Sequence, residues 1–76
     1  MKASIAGIIE CKDETKIKDC SKILNRYNIK HTNENNSVLI DTSIKVTPWF
    51  EREKFEYSLY RKLSELGRCK IRVTSL

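Results

Sequence analysis

Three cysteines, one histidine and a set of interleaved cations and aromatics are the residues of this 76-residue chain with chemistry to offer. Cys11, Cys20, His31 and Cys69 are of the right types for zinc. Small zinc sites, however, draw their ligands in close pairs, and no two of these four stand that near. The spacing therefore predicts three small buried thiols and no metal. No carboxylate or nucleophile is tied to His31 by a recognisable interval, so it reads as a packing or surface residue rather than a general base. No serine sits in a Gly-x-Ser-x-Gly turn. Gly7 and Gly67 are the only glycines, which excludes a glycine-rich phosphate loop. The expectation is a protein without catalytic residues, cofactor or metal.

The charge points elsewhere. Fifteen Lys and Arg against ten Asp and Glu give a net charge of +5 and a pI near 9.3. Such a balance favours anionic partners, above all nucleic acid. Lys18, Lys22 and Arg26 recur at helical spacing and form one ridge. Arg68, Lys70 and Arg72 alternate along a strand and form a second group. Lys54, Arg61 and Lys62 share a helix. We take Lys18, Lys22, Arg26, Lys54, Arg61, Lys70 and Arg72 as candidate nucleic-acid contacts. A solvated face laced with Asp and Glu is the plainer reading of the first ridge.

Five of the six aromatics fall in "TPWFEREKFEYSLYRKL", residues 47–63. On a helical wheel Phe55, Leu59, Leu63 and Leu66 share the core face. Trp49, Tyr57 and Tyr60 fall on an adjacent flank bordered by Lys54 and Arg61. The apolar and aromatic arc is wider than a helix lying on one sheet requires. Either the other helix buries the flank, or it is a half-wet binding surface.

The elements that position these residues alternate along the chain. Residues 2–11 have strand periodicity, with Ala3, Ile5, Gly7, Ile9 and Cys11 on one side. Asp13 is a good N-cap for a helix running to about Asn28. Residues 29–34 and 37–46 read as strands joined by an Asn35–Asn36 turn. Thr47 and Pro48 predict the start of a second helix and Gly67 its C-terminal cap. Residues 68–76 form a last strand.

The order β-α-β-β-α-β resembles the ferredoxin-like α+β fold over the whole chain, a single domain. That resemblance implies a four-stranded antiparallel sheet with both helices on one face. The fold hosts many functions. In its acylphosphatase branch the loop after the first strand cradles phosphate and carries an Arg, whereas here that loop reads "CKDET". RNA-recognition motifs carry stacking aromatics on the open sheet face. Here that face is expected to hold Ser4, Ala6, Ile8, Leu39, Asp41 and Ser43. Its apolar centre, with Ile8 and Leu39, suits a homodimer or a protein partner.

An odd cysteine count implies free thiols, hence a reducing, cytoplasmic setting. Ala3–Ile9 is too short for a signal segment or a membrane span. Abundant Lys, Asn and Ile imply AT-rich codons, as in many bacterial or phage genomes. The expected function is a small basic binding protein that engages RNA or a nucleoprotein. A phage or mobile-element product that inhibits a host nuclease or defence complex fits that description. The alternative is a protein–protein module, a homodimer or inhibitor that does not touch nucleic acid, with Trp49, Tyr57, Tyr60, Ile8 and Leu39 as its interface.

Overall fold

The computed structural model describes residues 1–76 and places the elements in the expected order. They are β1 (Lys2–Cys11), α1 (Glu14–Arg26), β2 (His31–Glu34), β3 (Ser37–Lys45), α2 (Arg52–Ser64) and β4 (Gly67–Ser75). The sheet is antiparallel with strand order β2-β3-β1-β4, the ferredoxin-like α+β arrangement. β1 is the centre of the molecule. Ile5 lies between Thr42 and Val73, and Ile9 between Val38 and Cys69. The period-2 alternation sends these side chains inward, where Leu24, Leu59 and Leu63 from the helices meet them. Thirteen residues are buried and none of them is polar or charged. No helix is long and apolar enough to cross a membrane.

The first helix begins and ends by side-chain and backbone chemistry that closes its loose ends. Asp13 Oδ1 accepts from the Thr15 and Lys16 amides at 3.0 and 3.2 Å and from the Thr15 hydroxyl at 2.6 Å. Such a cap is worth about 1 kcal/mol. The Thr15 hydroxyl, followed by the Lys16 amide, holds the Asp13 carboxyl below the ordinary carboxylate range. At the far end Asn28 adopts φ 57. The Ile29 amide then reaches the Leu24 carbonyl, and the Asn28 amide the Asn25 carbonyl. This Schellman ending buries Ile29 against the core, so β2 starts at His31 rather than at the expected Ile29. Asn35, with φ 56, makes the expected turn into β3.

The start of α2 differs from the sequence expectation. Thr47 does not cap it. The Phe50 amide bonds the Thr47 carbonyl at 3.0 Å, so Thr47–Phe50 is a β-turn with Pro48 at its second position. The helix starts after Glu51, whose side chain makes no capping bond. Pro48 satisfies either geometry, because both need its fixed φ and neither needs its missing N–H. Gly67 is likewise not a left-handed helix cap, since no glycine has positive φ. It opens β4, where a side chain would strike the backbone of Glu10 and Cys11. Close approach of β1 and β4, not a turn, is what requires glycine there.

Candidate nucleic-acid interface

The aromatic flank of α2 lies in the open. Trp49 is 82% exposed, Tyr57 63% and Tyr60 44%, which removes all three from the core. The reason is the direction in which α2 leans. Its contact with α1 runs through Phe55, whose ring meets Tyr27 edge-on at 5.5 Å, and Phe50 packs on Phe55 at 5.3 Å. Lys62 bonds the Tyr27 hydroxyl and lies over its ring. These residues are on one side of α2. Tyr60 is on the other, beside Cys69 and Ile71 of β4, where α1 cannot reach it. Tyr57, nearly opposite the buried Leu59 on the helix, faces outward. Trp49 is not on the helix. It occupies the Thr47–Phe50 turn.

On the β4 side the helix meets an unpaired sheet edge. β4 pairs only with β1, so the opposite edge has no neighbouring strand. Ladder alternation turns every second residue's N–H and C=O outward. At Val73 both groups are taken up by α2. Glu56 Oε2 accepts from the Val73 amide at 2.8 Å, and Arg52 Nη1 donates to the Val73 carbonyl at 3.1 Å. Arg52 and Glu56 also pair with each other at 3.5 Å. Two side chains thus do for Val73 what a fifth strand would. Further along, the outward groups of Cys69 and Ile71 have no such partners. Beside them is Tyr60, one helical turn beyond Glu56. Tyr60, Cys69, Ile71, Lys70, Arg72 and Ala6 line one shallow hollow.

The cations sort by position. Arg68, Lys70 and Arg72 are exposed on the open face of β4, opposite Glu10, Ile8 and Ala6. None of them, nor Arg61, takes part in a salt bridge. The three bridges of the molecule all belong to the first turns of α2: Arg52–Glu53, Arg52–Glu56 and Lys54–Glu51. Lys54 is thereby drawn away from the group, with its ammonium pKa raised by the Glu51 hydrogen bond. The Arg61 guanidinium lies 5.8 Å from the Tyr57 ring centre, a cation–π distance. Lys18, Lys22 and Arg26 are exposed on α1, a separate surface from β4. Of the seven cations considered from sequence, Lys70, Arg72 and Arg61 stand with the exposed tyrosines; the α1 ridge and Lys54 do not. Arg68 completes the β4 stripe. The hollow's backbone component was not readable from sequence, because it depends on which strand is left at the edge.

Ile8 and Leu39 face each other across β1 and β3 on the open face, half-buried, with Lys70 next to Ile8 in the adjoining strand. A larger, polar hollow lies at the opposite sheet edge, where β2 is too short to cover Asp41–Lys45. Lys30 and Asp41 balance each other there, so it has no net attraction for an anion.

His31 and the cysteines are structural. His31 Nδ1 donates to the Ile29 carbonyl at 3.0 Å, and Nε2 bonds Ser21 Oγ at 3.0 Å. With both nitrogens engaged, the ring rivets the start of β2 to α1. Cys11, Cys20 and Cys69 are free and buried, and the Cys11 thiol donates to the Ile9 carbonyl at 4.0 Å. Burial, with Cys11 and Cys69 beside it, pushes the Cys20 thiol up to about 12. Burial takes Cys69 to about 11 and raises Cys11. Thiols held neutral in this way are poor nucleophiles and poor metal ligands. No three His, Cys, Asp or Glu side chains converge as a metal site.

No family model, no curated protein and no solved structure matches this chain, so its site is described by its geometry alone.

Proposed function

We propose that this protein binds RNA, or the RNA of a nucleoprotein, through the open side of β4 and the adjoining flank of α2. The observation that carries the reading is the shared hollow. Tyr60 borders it together with Lys70 and Arg72, cations that have no carboxylate partner. Arg68 extends the stripe along β4, and Arg61 on Tyr57 extends it along α2. Cations supply the sequence-blind attraction to phosphate, and aromatic rings supply a surface for bases. A protein of this kind that covers RNA in a host nuclease complex would act as its inhibitor, with no chemistry of its own.

The test compares two neutralised pairs of equal charge change. Lys70→Gln with Arg72→Gln and Lys18→Gln with Lys22→Gln each lower the net charge from +5 by two. Binding of a labelled oligouridylate is followed by anisotropy over a salt series. The β4 pair flattens the slope of log K against log salt by about 1.4, the value for two lost contacts to a single strand. The α1 pair leaves the slope unchanged. Equal effects of the two pairs, or no binding at low salt, would overturn the reading.

The Ile8–Leu39 pair favours a second reading, a protein partner docked on the open sheet face. It predicts that Ile8→Gln, which leaves the net charge unchanged, abolishes association while leaving RNA affinity intact.

A further inference from the structure

We propose that the nucleic acid is single-stranded and runs along the unpaired edge of β4, with its bases on Tyr60 and Tyr57. The inference rests on the RNA reading above and adds which form of nucleic acid the surface takes.

The edge has three layers. On the open face, Arg68, Lys70 and Arg72 alternate along β4, about 7 Å apart. On the helix side, Tyr60 borders the edge, and Tyr57 stands exposed beyond it on the outer face of α2. Between the two rows lie the outward main-chain groups of Cys69 and Ile71, with no protein partner. Phosphates of one strand can follow the cations. Its bases can then lie on the tyrosine rings, and base edges can bond the main-chain donors and acceptors between. Arg61, held over Tyr57, adds a cation at the outer ring.

A duplex cannot use this arrangement. Its bases are stacked on one another and show no free face to a ring, and in A-form RNA the major groove is too narrow for side chains to enter. Only unpaired bases satisfy exposed tyrosines placed below a phosphate-binding stripe.

The site also has an end. The Val73 end of the edge is closed by Arg52 and Glu56, which take up its carbonyl and amide and leave no free main-chain group for a base there. The run from Gly67 to Ile71 leaves room for a short footprint, about four nucleotides, at the low end for stacking platforms. A second copy of the chain does not fit the same edge. Pairing β4 with itself would set Arg68, Lys70 and Arg72 against the same residues of the partner.

The experiment measures affinity for a labelled oligouridylate and for a blunt RNA duplex of equal length, under one salt condition. The single strand is expected to bind about tenfold or more tightly than the duplex. Tyr60→Leu and Tyr57→Leu, both at exposed positions, are expected to weaken single-strand binding by about 5- to 150-fold per lost stacked base, with the salt slope unchanged. Tyr60→Phe should retain affinity, and circular dichroism checks that each variant is folded. Equal affinity for duplex and single strand would overturn the inference. So would Leu variants that bind within about twofold of the parent. In either case, a continuing loss in Lys70→Gln with Arg72→Gln would leave the RNA reading standing. If neither nucleic acid binds at low salt, both proposals fall.

Discussion

Cys20 shows most plainly what burial does to a single residue here. It has no exposed surface, and its thiol is pushed up to about 12 from an ordinary 9.0. The unfolded chain releases this proton near the ordinary value, whereas the folded chain holds it. Above about pH 9 the unfolded state therefore binds fewer protons, and stability falls as pH rises toward the folded pKa. Each such thiol contributes a slope of up to about 1.4 kcal/mol per pH unit. Cys20→Ala removes one of them. Urea melts between about pH 8 and 11 should show the gap between parent and variant closing as pH rises, in the parent's disfavour. A gap that stays constant would mean the thiol titrates alike in both states. Three buried thiols were legible from the spacing of the cysteines and the absence of a paired-ligand pattern. That Cys20 would lie near both Cys11 and Cys69 was not, because it depends on α1 crossing the end of β1 where β4 begins.

At the scale of elements, the closed and open lengths of the β4 edge make the clearest contrast. Arg52 and Glu56 stand i, i+4 on α2 and read in the sequence as an ordinary helical ion pair. Their role as substitute strand partners for Val73 follows only from the antiparallel run of α2 beside β4. Glu56→Ala should cost about 1 kcal/mol, the loss of a charge-assisted bond at a half-buried site. It also leaves the Val73 amide free for edge-to-edge pairing. The stripe of Arg68, Lys70 and Arg72 opposes that pairing at low salt. Self-association of the variant should therefore appear near 1 M salt, where charges are screened beyond about 3 Å. Light scattering after size exclusion distinguishes it from the parent, and a variant that remains monomeric at high salt would show that the guard is not what keeps the edge unpaired.

Element boundaries were legible where one residue type has one use. Asp13 could only cap, and Asn35 took the left-handed turn expected of it. Pro48 and Gly67 each have two uses, and the sequence could not choose between them. Tertiary contact decided both, through the turn at Thr47–Phe50 and the crowding of Gly67 against Glu10. The width of the aromatic arc on α2 left burial by α1 and exposure both open, and Tyr57 and Tyr60 prove to be exposed. Which residues of the flank would meet cations was not legible, since Lys70 and Arg72 arrive from a different element.

Across the whole molecule, the salt bridges gather at the start of α2 and leave the rest of the basic surface unneutralised. One face of the sheet is roofed by helices. The other stays open from β2 to β4, so the core and the proposed binding surface lie on opposite sides of the same strands. β1 contributes to each side, with Ile5 and Ile9 in the core and Ile8 on the open face.

The central position of β1 has a topological consequence. The Leu76 amide bonds the Lys2 carbonyl at 3.0 Å, and the Val46 amide bonds the Met1 carbonyl at 2.9 Å. The two ends of the described chain therefore meet at one corner of the sheet, past Val73 and away from the hollow at Tyr60. A short Gly-Ser bridge can join them into a ring, and the ring can be reopened between Pro48 and Trp49, in a turn held by a single backbone bond. Such a circular permutant should unfold cooperatively within about 2 kcal/mol of the parent, because it exchanges one short closure for another. Denaturant melts would check this, and loss of cooperative unfolding would show that the Thr47–Phe50 connection is needed for the fold to form.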